Sequence, residues 1–164
     1  MTNKERYIEA VKELIERYKS HNMGQIVKYG SALSCPLCKI GRHTDGYGNL
    51  NCLPCPMAVR EKDATGEIRF LEGCCDYFDV ESGRMIHSFI RLQRNSYYNY
   101  IYLTPEKQKE AEKNLLYASD CRAKAYQEVL RVLLTWSESR FTQKGWKQHN
   151  WNNVDGKKLL EAGK

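Results

Sequence analysis

Two Cys-x-x-Cys pairs, Cys35-Pro36-Leu37-Cys38 and Cys52-Leu53-Pro54-Cys55, separated by thirteen residues, constrain this chain more than any other feature. Each pair makes a tight turn that can aim two sulfurs at one point, and a tetrahedral ion takes four thiolates at about 2.3 Å. The loop between the pairs is slightly shorter than the usual spacing, and Gly41, Gly46 and Gly48 let it turn sharply. The pattern predicts a Zn2+ clamp with Cys35, Cys38, Cys52 and Cys55 as ligands. Cys74, which follows Gly73 and precedes Cys75, is the alternate or additional ligand, and His43 sits inside the loop. A site closed by four thiolates leaves no open coordination position, so its role is to hold a fold together rather than to activate water.

Disulfides would require export, and Met1-Thr2-Asn3-Lys4-Glu5-Arg6 has no apolar signal segment behind it. A thioredoxin-like site needs one Cys-x-x-Cys between a strand and a helix, a context the sequence lacks. Iron ranks behind zinc for such a ligand set. Cys121 falls in a helical pattern and reads as a small buried residue.

A length of 164 residues suits a single domain spanning 1–164, and 41% hydrophobic residues can fill one modest core. No run is long and apolar enough to span a membrane. A mean hydropathy of −0.68 and seven cysteines without an export signal lead us to expect a cytoplasmic protein. A net charge of +6 favours an anionic partner. Eleven tyrosines and three tryptophans exceed what a metal clip needs, and point to a contact surface or a large aromatic core.

Residues 3–20 read as an N-terminal helix. Thr2 and Glu5 stand in capping-box spacing, and Tyr7, Ile8, Val11, Leu14, Ile15 and Tyr18 form one apolar face. The helix should stop at His21-Asn22-Met23-Gly24, where Asn or Gly can take the left-handed cap. Residues 25–33 read as an extended lead-in to a zinc module at 34–75. Within that module a charged turn, Arg60 to Gly66, precedes a strand at 67–71. Asp76, Asp79 and Glu81 could hold a magnesium ion, but three carboxylates so close together read better as a hydrated turn.

Residues 83–103 are basic and tyrosine-rich. On a helix over 83–95, Arg84, His87, Arg91 and Arg94 share one quadrant, and Met85, Ile86, Phe89, Ile90 and Leu92 fill the opposite arc. A strand follows, with Tyr98, Tyr100 and Tyr102 on one face. Guanidinium groups pair with phosphate and tyrosine rings stack on bases, which is what binding RNA, single-stranded DNA or a small nucleotide requires. Tyrosines packed on a helix inside the fold account for the same pattern.

Thr104-Pro105 opens a long helix over 104–141, with a capping threonine and proline at the first position. Either it breaks near Ser119-Asp120 into a hairpin, or it continues and its end packs on a second chain as a homodimer. Arg122 lies on its apolar stripe and needs a partner or solvent. Residues 142–164 read as a basic tail whose Trp146 and Trp151 dock back on the body.

The order Cys35, Cys38, Cys52, Cys55-Pro56, Gly73-Cys74 and Thr104-Pro105 resembles a group of small, poorly characterised proteins common in phage genomes. The likeness spans residues 35 to about 140. It implies a metal-binding accessory protein of phage or mobile-element type, at work in the host cytoplasm, and brings no reaction or catalytic residue with it. The segment with the arginines and tyrosines is longer here than in that pattern.

These readings combine into an α+β fold: a zinc-ribbon or knuckle-like module with short strands, packed between the N-terminal helix and a long C-terminal helix or hairpin. The expected function is non-enzymatic binding, zinc-finger-like, by contact with a host protein or nucleic acid, as a regulator or inhibitor of a host system. The alternative is a nucleotide-binding protein or small hydrolase acting on a phosphate-bearing ligand through the Arg/Tyr surface. Against an enzyme stands the lack of a phosphate loop, a nucleophile elbow, a metalloprotease H-E-x-x-H helix or a deaminase signature.

Overall fold

The computed structural model of the chain describes residues 1–29, 35–41, 43–44, 50–51, 60–62, 64–65, 68–70, 86, 89, 103–149, 151 and 154–164. Its first helix, α1 (Asn3–Lys19), starts on the capping box anticipated above. Thr2 Oγ1 accepts from the Glu5 amide at 3.2 Å, and the Glu5 carboxylate accepts from the Thr2 amide at 2.7 Å. Apolar residues at helical spacing bury one face: Tyr7, Ile8, Ala10, Val11, Leu14, Ile15 and Tyr18.

α1 ends at Ser20, and the left-handed residue is His21, with φ 55°, rather than Asn22 or Gly24. Asn22 is instead used to begin the next helix, its Oδ1 accepting from the Gln25 amide at 3.1 Å. The expected extended lead-in is therefore helical through its first part, as α2 (Met23–Tyr29), followed by α3 (Pro36–Gly41).

Among the described residues, four strand pieces form two antiparallel pairs: β1 (His43–Thr44) with β2 (Leu50–Asn51), and β3 (Arg60–Lys62) with β4 (Ile68–Phe70). β4 falls within the strand anticipated at 67–71, and the first three residues of the charged turn before it are β3.

The long helix α4 (Pro105–Leu134) opens on Thr104, whose Oγ1 accepts from the Lys107 amide at 3.3 Å, with Pro105 at the first position. It is continuous through Ser119 and Asp120 and about 45 Å long, so no hairpin forms there. It stops seven residues short of the expected Phe141. The Thr135 and Trp136 amides tighten onto the Val132 and Leu133 carbonyls, and a 3₁₀ turn (Glu138–Arg140) redirects the chain. Two short helices follow, α5 (Gln143–Gln148) and α6 (Gly156–Ala162). The expected tail from Asp155 onward is thus a helix, capped by Asp155 Oδ1 on the Lys158 amide at 3.1 Å.

α1 and α4 make the most extensive contact and run antiparallel, since Lys4 meets Trp136 at one end and Tyr18 meets Ser119 at the other. α6 packs along α4 as well, while α3 lies against α1 and α2 touches both long helices. Where α1 begins and α4 ends, Tyr7, Trp136, Phe141, Trp146 and Trp151 form an aromatic cluster. Its ring centroids stand 5.2–6.0 Å apart, and Trp151 Nε1 donates to the Trp146 carbonyl at 3.0 Å. Both C-terminal tryptophans are docked on the body, as their sequence reading anticipated.

The α+β expectation is overturned. The described core comes from helices and the turns between them, and strands of two or three residues in separate two-stranded sheets make no layer. Among the described residues no His, Cys, Asp or Glu side chains converge as a metal-binding group. The apolar faces of α1 and α4, with the aromatic cluster, supply the packing that the sequence reading gave to a metal-centred module.

Candidate metal centre and basic face

Cys35 directly precedes α3 and is buried in the core beside Leu37, its carbonyl accepting from the Lys39 amide at 3.1 Å. Cys38 follows three residues later, inside α3. β1 and β2 then pair His43 with Asn51 and Thr44 with Leu50, so the chain doubles back between the two cysteine pairs. Asn51 immediately precedes Cys52 in sequence. A clamp built from Cys-x-x-Cys pairs on both sides of a loop requires such a reversal. The Cys38 side chain and Cys52, Cys55, Cys74 and Cys75 lie outside the described residues, as does the His43 side chain.

In the basic segment, Ile86 and Phe89 are helical and buried, 2% and 8% exposed, within the main core. Both belong to the apolar arc anticipated for 83–95. Arg84, His87, Arg91, Arg94, Tyr98, Tyr100 and Tyr102 lie outside the described residues. Asp76, Asp79 and Glu81 do too.

Sequence reasoning passed over two polar groups, one just beyond the end of α4 and one on α4 itself. At its C-terminal end His149 sits between Trp151 and Trp136, with ring centroids at 4.3 and 5.8 Å, and Arg140 lies over the Trp136 ring at 4.6 Å. Burial, reinforced by the Arg140 charge and opposed by Glu128, holds the His149 imidazole below its ordinary range. The Glu128 carboxyl is itself held low by its two hydrogen bonds from Arg131, at 2.6 and 2.9 Å.

Further along α4, Tyr117 donates to Glu161 of α6 at 3.3 Å and neighbours the buried Cys121. Burial first, then Cys121 and Glu161, push its hydroxyl up to about 12. The spacing of Tyr117, Cys121 and Lys124 is the one signal in the sequence that could have found this face, because it repeats at helical period.

Arg122, on the other side of α4, is 1% exposed, so the partner its sequence position demanded is supplied inside the fold and not by solvent. Cys121 is buried, in agreement with its reading as a small core residue. No helix among the described residues is long and apolar enough to cross a membrane. No family model, no curated protein and no solved structure matches the chain.

Proposed function

We propose that the chain is a non-enzymatic binding protein that grips single-stranded nucleic acid through Arg84, His87, Arg91 and Arg94 with Tyr98, Tyr100 and Tyr102. In this reading zinc on Cys35, Cys38, Cys52 and Cys55 ties the intervening chain to the helical body. The observation that carries it is the burial of Ile86 and Phe89. At 100° per residue their midpoint lies about 150° around the helix from the centre of the four basic positions. On the helix anticipated over 83–95, anchoring at Ile86 and Phe89 would set the positive arc on the side away from the core. The net charge of +6 acts in the same direction.

The supporting chemistry for zinc is the i, i+3 placement of Cys35 and Cys38 at the start of α3 and the reversal of the chain between β1 and β2. A protein of the phage accessory type, to which the motifs are similar, would use such a surface on a nucleic acid of its host.

The test is binding of labelled single-stranded RNA, single-stranded DNA and duplex across a salt series, for the unaltered chain and for R91A/R94A. Affinity should fall linearly in log salt, and the double variant should flatten the slope by about 1.4, two phosphate contacts at about 0.7 each on a single strand. Absence of binding at low salt would remove nucleic acid and leave a host protein as the target. Binding of a mononucleotide but no polymer would favour the nucleotide-binding alternative.

A further inference from the structure

We infer that α6 is a strap that opens and closes over one face of α4 while the α1–α4 pairing stays shut. Two of the helices packed on α4, α1 and α6, are held very differently. α1 buries seven side chains, whereas the only fully buried residue of α6 is Gly156, and Leu159 and Leu160 are half-buried. A helix of seven residues does not stand by itself in water, so α6 exists only as long as this shallow contact holds.

Its tie to Tyr117 is also slight. The bond from Tyr117 to Glu161 is long at 3.3 Å and its Glu161 end is exposed, and the ammonium of Lys124 lies beside Gly163 at the carboxyl end of α6. Immediately upstream the chain is fixed firmly, with Trp151 and Val154 at 1% and 4% exposure in the core. A hinge at Asp155 and Gly156 separates these two regimes. The Asp155 cap bonds to Lys158 within α6 itself, so it gives α6 no grip on α4.

What the strap covers is chemically distinct. Tyr117, Cys121 and Lys124 lie along the α4 face toward α6, and Cys121 is 2% exposed. Opening at the hinge bares the Cys121 thiol without disturbing Tyr126, Val129 or Leu133, which are buried with α1. Closure and opening thus set whether this thiol is accessible, in a unit smaller than the whole fold.

Native-state thiol exchange on the full chain tests this. The Cys121 thiolate attacks an aromatic disulfide, the reagent's S–S bond breaks, a mixed disulfide forms and the aryl thiolate leaves. Labelling is read at Cys121 by peptide mass spectrometry over low urea concentrations. The comparison is V129C, whose thiol occupies a fully buried position one turn from Tyr126 on the side facing α1.

Cys121 should react at least about tenfold faster than the V129C thiol, with a rate nearly flat in low urea, and L159A should raise its rate by about a further tenfold. Equal rates and equal urea dependence at the two thiols, or no response to L159A, would overturn the strap. Amide exchange in the unaltered chain gives the same decision without a variant. The amides of residues 159–163 should exchange through a urea-insensitive opening, and exchange that tracks the centre of α4 would refute it.

Discussion

The hydroxyl of Ser119 donates to the main-chain carbonyl of Tyr18 at 2.7 Å, with both residues buried between α1 and α4. Tyr18 lies in the last turn of α1, where carbonyls run out of intrahelical donors, so a side chain from the neighbouring helix completes the set. Replacing Ser119 by Ala leaves that carbonyl buried and without this donor, at a cost of about 1–2 kcal/mol. In a chain of this length the melting temperature should fall by about 3–6 °C. An unchanged midpoint would mean that the carbonyl finds water instead.

A second prediction concerns Gly145, in α5. A Cβ at this position would fall well inside contact distance of the Arg140 carbonyl oxygen, which is backbone and cannot rotate away. The Gly145 amide also donates to Thr142 Oγ1 at 3.0 Å, fixing the approach. Gly145→Ala should therefore force α5 off the 3₁₀ turn and cost about 2 kcal/mol or more, despite alanine's better helix propensity. The readout is the urea midpoint together with the fluorescence of Trp146. A stabilised variant would show that the turn yields.

The start of α1 and the start of α4 were legible in the sequence because their signals are local: Thr2 with Glu5, and Thr104 with Pro105. The ends were not. Trp136 and Phe141 continue an apolar spacing, and only the aromatic cluster they join, with Tyr7 of α1, explains why the chain leaves the helix at Leu134. Ser119 reads as a breaker until Tyr18 is placed beside it. Asp155 to Lys164 reads as a tail because its two leucines find their surface only on α4. For the candidate site the Cys-x-x-Cys spacing was readable, but a fold class built around it was not, since most core residues belong to helices far from those cysteines in sequence.

His149 makes stability depend on pH in a definite direction. Its folded value lies below the ordinary one, because burial and the Arg140 charge disfavour the imidazolium. Above the unfolded value of about 6.5 both states are neutral there and the residue contributes no slope. As pH falls below that value the unfolded chain takes up the proton first, so stability drops until the folded imidazole is protonated too. H149Q should remove this component between pH 6.5 and the folded value and leave the acid loss due to Glu128 at lower pH. That carboxyl is held low by Arg131, so its contribution is present above its unfolded value and fades as pH falls through the folded one. Urea midpoints of the two proteins from pH 7 downward measure the difference, and parallel curves would contradict it.

Metal content separates the zinc proposal from a purely helical account of the fold. If Cys35, Cys38, Cys52 and Cys55 close on zinc, the purified chain should carry close to one equivalent, and C38S and C52S should each lose most of it. Cys35 is buried beside Leu37, within the core that includes α1, so release of the ion, with its thiolate taking up a proton, would remove a tie set in the core itself. Chelation should then lower stability by on the order of a few kcal/mol and loosen α3. The ellipticity of α1 and α4 should largely persist, because their shared face, from Tyr7 and Val11 to Val129 and Leu133, contains no metal ligand. Near-stoichiometric zinc with a chelator-sensitive α3 and a chelator-resistant α1–α4 pair is the expected pattern. A chain free of zinc, iron and other transition metals, with the same melting curve in chelator, would eliminate the metal and leave the helices as the sole source of the fold.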